Sequence, residues 1–274
     1  MLIPANLDLP YIDYLYSMLL LKGNLLSPFN RSVFVCLLAM LMACSSDDDL
    51  PAEEQKLPSG NRLLVEVHVN GEPIDLQQEY AGIGGQLVRF QRVAFYLSEF
   101  SPQLEGAEDF ELSSEPQAML YDGENTAIDF LSDHFELQTI EGLRISIGLP
   151  PEINHANPLE AEPPLNIPSM HWNWNPDLGY IFARIEGMYD SNGDGVIDIT
   201  DSEFTYHCAD INLKKTFSLM AESPIMPAED IRIRIEVSDL FFGLNIADEA
   251  VSHGSTDMTN SIMNNFVRAT RIDS

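Results

Sequence analysis

Short apolar runs, some alternating with polar residues, dominate the chain after residue 60. Residues 63–69 read Leu-Leu-Val-Glu-Val-His-Val, and the Asn70-Gly71 pair that follows is a strong signal for a two-residue β-hairpin turn. Similar runs separated by Pro, Gly and Asp predict strands over residues 73–76, 86–97, 117–121, 143–148, 180–186, 204–208, 215–220 and 230–237. The pattern predicts a mainly β fold, an antiparallel β sandwich of about 8–10 strands, and not alternating βαβ units.

Two segments have helical periodicity instead. One is residues 127–133, and the other is residues 257–271 near the end of the chain. In the second, apolar residues recur at helical spacing after two candidate capping residues, Ser255 and Thr256. This pattern predicts a C-terminal helix whose methionines fill the core and do not bind metal.

A proline-rich loop is expected over residues 150–177, and both tryptophans of the chain, Trp172 and Trp174, lie in it. Long loops in compact domains usually carry function or are disordered. If this segment is extended, the two indoles share one face, and His171 and Asn173 lie on the other. Two interpretations stay open. The aromatic pair flanks a metal-ligating imidazole, or it belongs to a buried aromatic ladder.

The N-terminal part of the chain has the order of an export signal. Arg31 precedes an apolar run over residues 33–43, which is shorter than the roughly 20 residues that span a bilayer. The run ends in Leu-Met-Ala-Cys, which resembles a bacterial lipobox with Cys44 as the lipid attachment point. We therefore expect residues 1–43 to be a signal peptide with an overlong start, and residues 44–60 to be a disordered acidic tether. Residues 61–274 would form one domain anchored in the bacterial envelope, at the outer membrane.

Charge, cysteine content and the motifs that are missing exclude several classes of function. The formal net charge of −29 excludes nucleic-acid binding, which needs Lys and Arg at the phosphates. Of the three cysteines, Cys36 leaves with the signal and Cys44 carries lipid, so Cys208 has no disulfide partner. Cys208 is read as a buried small hydrophobe. No nucleophile elbow, phosphate loop or zinc-protease motif occurs, and nothing in the sequence demands an enzyme.

One acidic segment, residues 190–201, predicts a calcium loop. Calcium takes six to eight oxygen ligands, and a sharp turn at a glycine lets one short loop supply them. Here Gly195 occupies the turn position. The alternative is a plain acidic turn, but four aspartates so close together repel one another without an ion. The predicted calcium ligands are Asp190, Asn192, Asp194, the Val196 carbonyl, Asp198 and Asp201.

A longer motif resembles a known family. The residues are Asn154-His155-Ala156-Asn157-Pro158-Leu159, then the stretch 164–174, then Gly179-Tyr180-Ile181-Phe182 and Glu186-Gly187. Together they resemble the MbnP family, exported bacterial proteins named for their place beside methanobactin genes. The likeness is close over residues 143–208 and looser over 62–270. It implies copper binding that depends on oxidation of a tryptophan to kynurenine by a di-haem partner of the MauG type.

The resemblance implies a copper site that draws on Trp172 or Trp174, with four histidines as candidate ligands: His155, His171, His207 and His253. Imidazole suits copper, and an oxidised indole offers oxygen and amine donors that the intact ring lacks. A calcium-stabilised β-sandwich module that binds glycan or protein through the paired tryptophans is the alternative. Exposed paired aromatics would favour that module, whereas histidines converging beside one tryptophan would favour copper. A hydrolase is the third reading, and it lacks any nucleophile signature.

Overall fold

Thirteen strands and three α-helices account for most of the ordered backbone in the part of the chain that the structure, a computed structural model, describes. The described residues are 62–107, 118–124, 126–129, 138–173, 175–227 and 229–273. They lie within one compact unit, Leu57–Ser274. The predicted signal peptide, Cys44 and the tether fall outside the described residues.

The first sheet has the strand order β13-β11-β1-β2, with β6 also paired to β1. Its strands are β1 (Arg62–Val69), β2 (Glu72–Pro73), β6 (Ala127–Asp129), β11 (Ile231–Glu236) and β13 (Thr270–Asp273).

The second sheet has the order β10-β7-β4-β8-β9-β12, with β3 and β5 also paired to β4. Its strands are β3 (Tyr80–Ile83), β4 (Gln86–Leu104), β5 (Ala118–Tyr121), β7 (Ile140–Ile147), β8 (Ile181–Tyr189), β9 (Ser202–Ala209), β10 (Lys215–Ile225) and β12 (Val251–His253).

Three α-helices connect these strands: α1 (Pro151–Asn154), α2 (Val237–Leu240) and α3 (Asp257–Ala269). Helix α3 begins at a capping box, in which the Thr256 and Thr259 side chains bond each other's backbone N–H groups. Its buried face, which includes Ile262 and Phe266, packs against strands of both sheets, and Phe266 meets Phe95 of β4 edge to face. The predicted C-terminal helix is confirmed, and no helix in the described ranges is long and apolar enough to cross a membrane.

The predicted mainly β, sandwich-like fold with two sheets is confirmed, with two differences in detail. The first is that β1 pairs with β11, and β9 with β12, in parallel. The second is that β4 continues to Leu104, beyond the predicted end at residue 97, because a bulge at Glu99 (φ 54°) lets the strand go on pairing with β7.

The predicted helix over residues 127–133 is wrong where the structure describes it. Residues 127–129 form β6, which pairs antiparallel with the start of β1. Leu63 and Leu64 of β1 supply pairing partners that a local helical pattern does not reveal. Tertiary pairing therefore decided the conformation of this short segment.

Candidate functional site

Two histidines meet on one face of the second sheet. His207 of β9 and His253 of β12 are direct partners in the parallel pairing of these strands, so their side chains leave the sheet on the same side. Their rings stack with centroids 4.8 Å apart and planes inclined by 20°. Along β9 the neighbours Tyr206 and Cys208 are fully buried, so His207 points away from the core. We call this side of β8, β9 and β12 the histidine face.

A carboxylate on the adjacent strand completes the cluster. Arg184 of β8 is the register partner of His207, and Glu186 lies two residues further along, on the same face. Glu186 Oε1 lies 2.7 Å from His207 Nε2 and accepts a hydrogen bond from Arg184 Nε at 2.8 Å. The side chains of all three are about four-fifths buried. One carboxylate oxygen therefore links the arginine to the histidine pair.

The electrostatics keep this carboxylate ionised. Partial burial raises the pKa of Glu186, but the hydrogen bonds from His207 and Arg184 outweigh it and bring the pKa to about 2. The pKa of His253 is lowered by desolvation and then by its neighbour His207. At neutral pH the site thus combines a charged carboxylate with a His253 ring that resists protonation.

Trp172 covers the two histidine rings. Its indole meets His207 edge to face with centroids 5.8 Å apart, and His253 in the same manner at 5.5 Å. Only 3% of Trp172 is exposed. His171 Nδ1 lies 3.0 Å from Asn173 Oδ1, and the Asn173 N–H donates to the His171 carbonyl at 3.0 Å, so the backbone turns at Trp172 and does not continue as an extended segment. The histidines therefore converge beside one buried tryptophan.

Hydrogen bonds within the loop that carries Trp172 fix its shape, and one from Arg184 of β8 fastens it to the sheet. Arg184 Nη1 donates to the Ser169 carbonyl at 2.7 Å, and the Trp172 N–H donates to the Gly179 carbonyl at 2.9 Å. The buried Asn154 accepts from the Tyr180 N–H through its side chain at 3.1 Å and through its backbone carbonyl at 3.2 Å. The proline-rich segment is thus a structured cover over the histidine face.

A glycine is required where this cover returns to the sheet. Gly179 has φ +67°, and a Cβ there would lie 2.2 Å from the Asn154 carbonyl oxygen. Only a residue without a side chain fits, since both the backbone conformation and the close approach exclude one. Gly179 and Asn154 therefore set the position from which Trp172 reaches the histidines.

The other predicted site residues have different surroundings. The His171 ring packs edge to face on Tyr180 at 4.9 Å, and His155 is exposed at the end of α1. Trp174 lies outside the described residues. Among the residues that the structure describes, no three or more His, Cys, Asp or Glu side chains are arranged to hold a metal ion. The tertiary structure thus brings together His207, His253 and Trp172 from the predicted set.

The acidic loop is organised by its own backbone. Asp190 accepts from the N–H groups of Gly193 at 2.7 Å and Gly195 at 2.8 Å, and Asp201 accepts from Ser191 at 3.0 Å. The backbone N–H and the hydroxyl of Thr200 lower the pKa of Asp198. The remaining predicted ligands, Asn192, Asp194 and Val196, are exposed. The carboxylates therefore shape the turn, and whether they bind calcium stays a prediction.

Glu186, Arg184 and Ser169 were not predicted as site residues, although Glu186 and Ser169 lie within the family motif. The first two are separated by one residue on a predicted strand, and they could have been placed on one face by alternation. Their meeting with His207 depended on the register of β8 with β9, which the sequence does not reveal. Cys208 is buried, as expected, and burial raises its pKa. Its thiol faces α3, away from His207, and does not form a nucleophile pair with it.

Comparison with known proteins agrees with the motif found in the sequence. The MbnP family model matches residues 59–263 of the chain. MbnP from Methylosinus trichosporium is a similar solved structure, 17% identical, with a TM-score of 0.44, in a match that covers 72% of this chain and 81% of that one. No curated protein matches the chain. Because the family model covers well over half of the sequence, the chain belongs to the MbnP family.

Proposed function

We propose that this protein binds copper in the bacterial envelope, at the cluster formed by His207, His253 and Trp172. The observation that carries the proposal is the contact of one buried indole with two stacked imidazoles. Imidazole nitrogens are good ligands for copper in either oxidation state. His253 is exposed and His207 partly buried, so a metal can reach the pair from solvent. The role is binding, not catalysis.

The donor set fits copper only if the tryptophan changes. Two imidazoles are fewer ligands than copper usually takes, and an intact indole N–H is a donor of hydrogen bonds only. Kynurenine would add an aryl amine and a ketone oxygen beside the two rings. Among the residues that the structure describes, Trp172 is the tryptophan in contact with both histidines. We therefore assign the modification to Trp172, with a MauG-type di-haem protein as the oxidising partner.

Mass spectrometry and metal titration together test the proposal. The protein is made alone and with its di-haem neighbour, and the peptide containing Trp172 is analysed. We expect the co-expressed protein to gain the mass that corresponds to replacing one carbon atom by one oxygen atom, at Trp172. Its affinity for Cu(I) and Cu(II) is then measured by competition with a chelator of known affinity. The matured protein should bind at least tenfold more tightly than the unmodified one.

Matched variants localise the site. His207→Ala and His253→Ala should each lower the copper affinity of the matured protein by at least tenfold. His155→Ala and His171→Ala serve as controls and should have smaller effects, because neither ring takes part in the stacked pair. An unchanged mass at Trp172, together with unaltered copper binding in both His207→Ala and His253→Ala, would refute the proposal.

The acidic loop is proposed as a structural calcium site. Its support is the spacing of Asp190, Asn192, Asp194, Asp198 and Asp201, with the Val196 carbonyl as a sixth ligand. The loop directly joins β8 to β9, the strands that carry Glu186 and His207. Calcium there would stabilise the connection at one end of the histidine face.

We also propose that Cys44 anchors the protein to the outer membrane through lipid. The support is the Leu41-Met42-Ala43-Cys44 sequence behind an apolar run. In a bacterium that processes lipoproteins, the protein should incorporate a labelled fatty acid and appear in the outer-membrane fraction. Cys44→Ser should remove the label. A Cys44→Ser protein that is labelled as strongly as the wild type would disprove the anchor.

The alternative of a glycan- or protein-binding module is less well supported. A stacking platform needs exposed aromatic faces, and only 3% of Trp172 is exposed. Its indole already packs against two histidine rings. The surroundings of Trp172 therefore favour the copper proposal over the binding module.

A further inference from the structure

We propose that Glu186 is a positioning residue that holds His207 in the Nε2–H tautomer and thereby leaves Nδ1 as the nitrogen able to bind a metal. The inference rests on the proposed function and deepens it. It concerns the protein before any metal arrives, because the contacts that carry it are those of the protein alone. Glu186 itself is not assigned as a ligand.

One oxygen, Glu186 Oε1, joins the side chains of Glu186, Arg184 and His207. Arg184 has only hydrogen-bond donors, so its contact of 2.8 Å makes Glu186 Oε1 an acceptor. His207 Nε2 lies 2.7 Å from the same oxygen, and a carboxylate offers no proton in return. Nε2 must therefore carry the hydrogen. In a neutral imidazole the other nitrogen, Nδ1, then holds the free electron pair.

Arg184 binds both Glu186 and the loop that carries Trp172. It pairs with Glu186 through Nε, and its Nη1 donates 2.7 Å to the Ser169 carbonyl on the loop that leads to Trp172. Arg92 of β4 adds a contact of 3.3 Å to the Ser169 hydroxyl. The orientation of His207 and the position of the Trp172 loop are thus fixed by one connected set of hydrogen bonds. Carboxylates that orient ligating histidines commonly matter for metal affinity by about 10–100-fold.

Nitrogen NMR of the metal-free protein tests the inference directly. The ¹⁵N shifts of the His207 ring, assigned by comparison with His207→Asn, report which nitrogen carries the hydrogen at neutral pH. We expect the Nε2–H form in the wild type and in Glu186→Gln, whose amide oxygen can still accept from Nε2. Glu186→Ala should give a mixture of tautomers. Glu203→Ala, which removes an exposed carboxylate on β9, is the control and should leave the shifts unchanged.

Copper titration of the matured proteins supplies the second readout. Glu186→Ala should bind copper about 10–100-fold more weakly than the wild type, and Glu186→Gln should recover most of that loss. A wild-type His207 in the Nδ1–H form, or a single unchanged tautomer in Glu186→Ala, would overturn the proposal. An altered tautomer with undiminished copper affinity would overturn the positioning role but leave copper binding intact. Failure of the wild type to bind copper would instead defeat the proposed function, and the NMR result would still decide the tautomer.

Discussion

The two loops on either side of β8 differ in what holds them. The loop before β8 is tied to the sheet by hydrogen bonds to residues of other strands, including Arg184 of β8 with Ser169 and Tyr96 of β4 with Pro164. The loop after β8 is held by bonds among its own members, such as Asp190 with Gly193. Trp172 of the first loop is buried, whereas Ile199 of the second is 97% exposed. The first loop depends on the rest of the fold, and the second is almost self-contained.

This difference explains which site could be found from the sequence. A turn built by its own side chains leaves a local signature, so the acidic loop was visible as spaced oxygen donors. A cluster built from β8, β9, β12 and a preceding loop has no fixed spacing. We therefore expect substitutions in the first loop to lower the stability of the whole domain. Substitutions in the second loop should change the free energy of unfolding much less.

Removal of the buried indole should have the largest effect. Trp172→Ala should lower the free energy of unfolding by about 3–5 kcal/mol, the range for truncating a buried aromatic residue. Ile199→Ala in the acidic loop should change it by less than about 0.5 kcal/mol, because the side chain is exposed. Denaturant unfolding of both variants measures the contrast. Equal effects would show that the two loops are not held differently.

The same substitution at two glycines sharpens the contrast. Gly179→Ala and Gly193→Ala both place a side chain at positive φ, but only at Gly179 would the new Cβ meet other atoms within 4 Å. Gly179→Ala should cost about 3 kcal/mol from strain and overlap together, and Gly193→Ala about 1 kcal/mol from strain alone. Thermal unfolding gives the comparison. A Gly193→Ala variant as unstable as Gly179→Ala would contradict it.

Calcium removal should act through the acidic loop alone. With free calcium a hundredfold above its dissociation constant, binding would stabilise the fold by about 2.7 kcal/mol, and excess chelator should abolish this contribution. Asp194→Ala should remove the response to chelator. A melting curve that does not change with chelator in the wild type would count against the calcium site.

Acid should remove the stabilisation that ionised Glu186 contributes on the histidine face, and this effect should be smaller than those above. The pKa of Glu186 is about 2 in the fold, below the ordinary value of 4.5 for a glutamate carboxyl group. The stabilisation is therefore fully present above about pH 4.5 and is lost as the pH falls toward 2. After allowance for solvent screening we expect about 2 kcal/mol, seen as the difference in pH dependence between the wild type and Glu186→Gln. Parallel stability curves for the two proteins between pH 4.5 and 2 would refute the assignment.

Local patterns predicted the strands well where burial and alternation coincide. β1 was found nearly complete, and the central residues of β8 and β9 were found, since each strand alternates buried and less buried positions. The short strands β3, β6, β12 and β13 were missed, and the last three of them are stabilised by pairing with strands distant in the sequence. The bulge at Glu99 also hid residues 98–104 at the end of β4. Propensity is a weak guide where a partner strand decides the conformation.

The sequence by itself determined the class of fold, the family motif, the acidic loop and the tryptophan-bearing segment, because each is encoded by residues close together in the chain. Only the tertiary structure decided that His207 and His253 meet, that Glu186 lies against one of them, and that Trp172 covers both. These contacts depend on strand order and register, which are set by packing of the whole domain. These contacts therefore cannot be predicted from the spacing of residues along the chain.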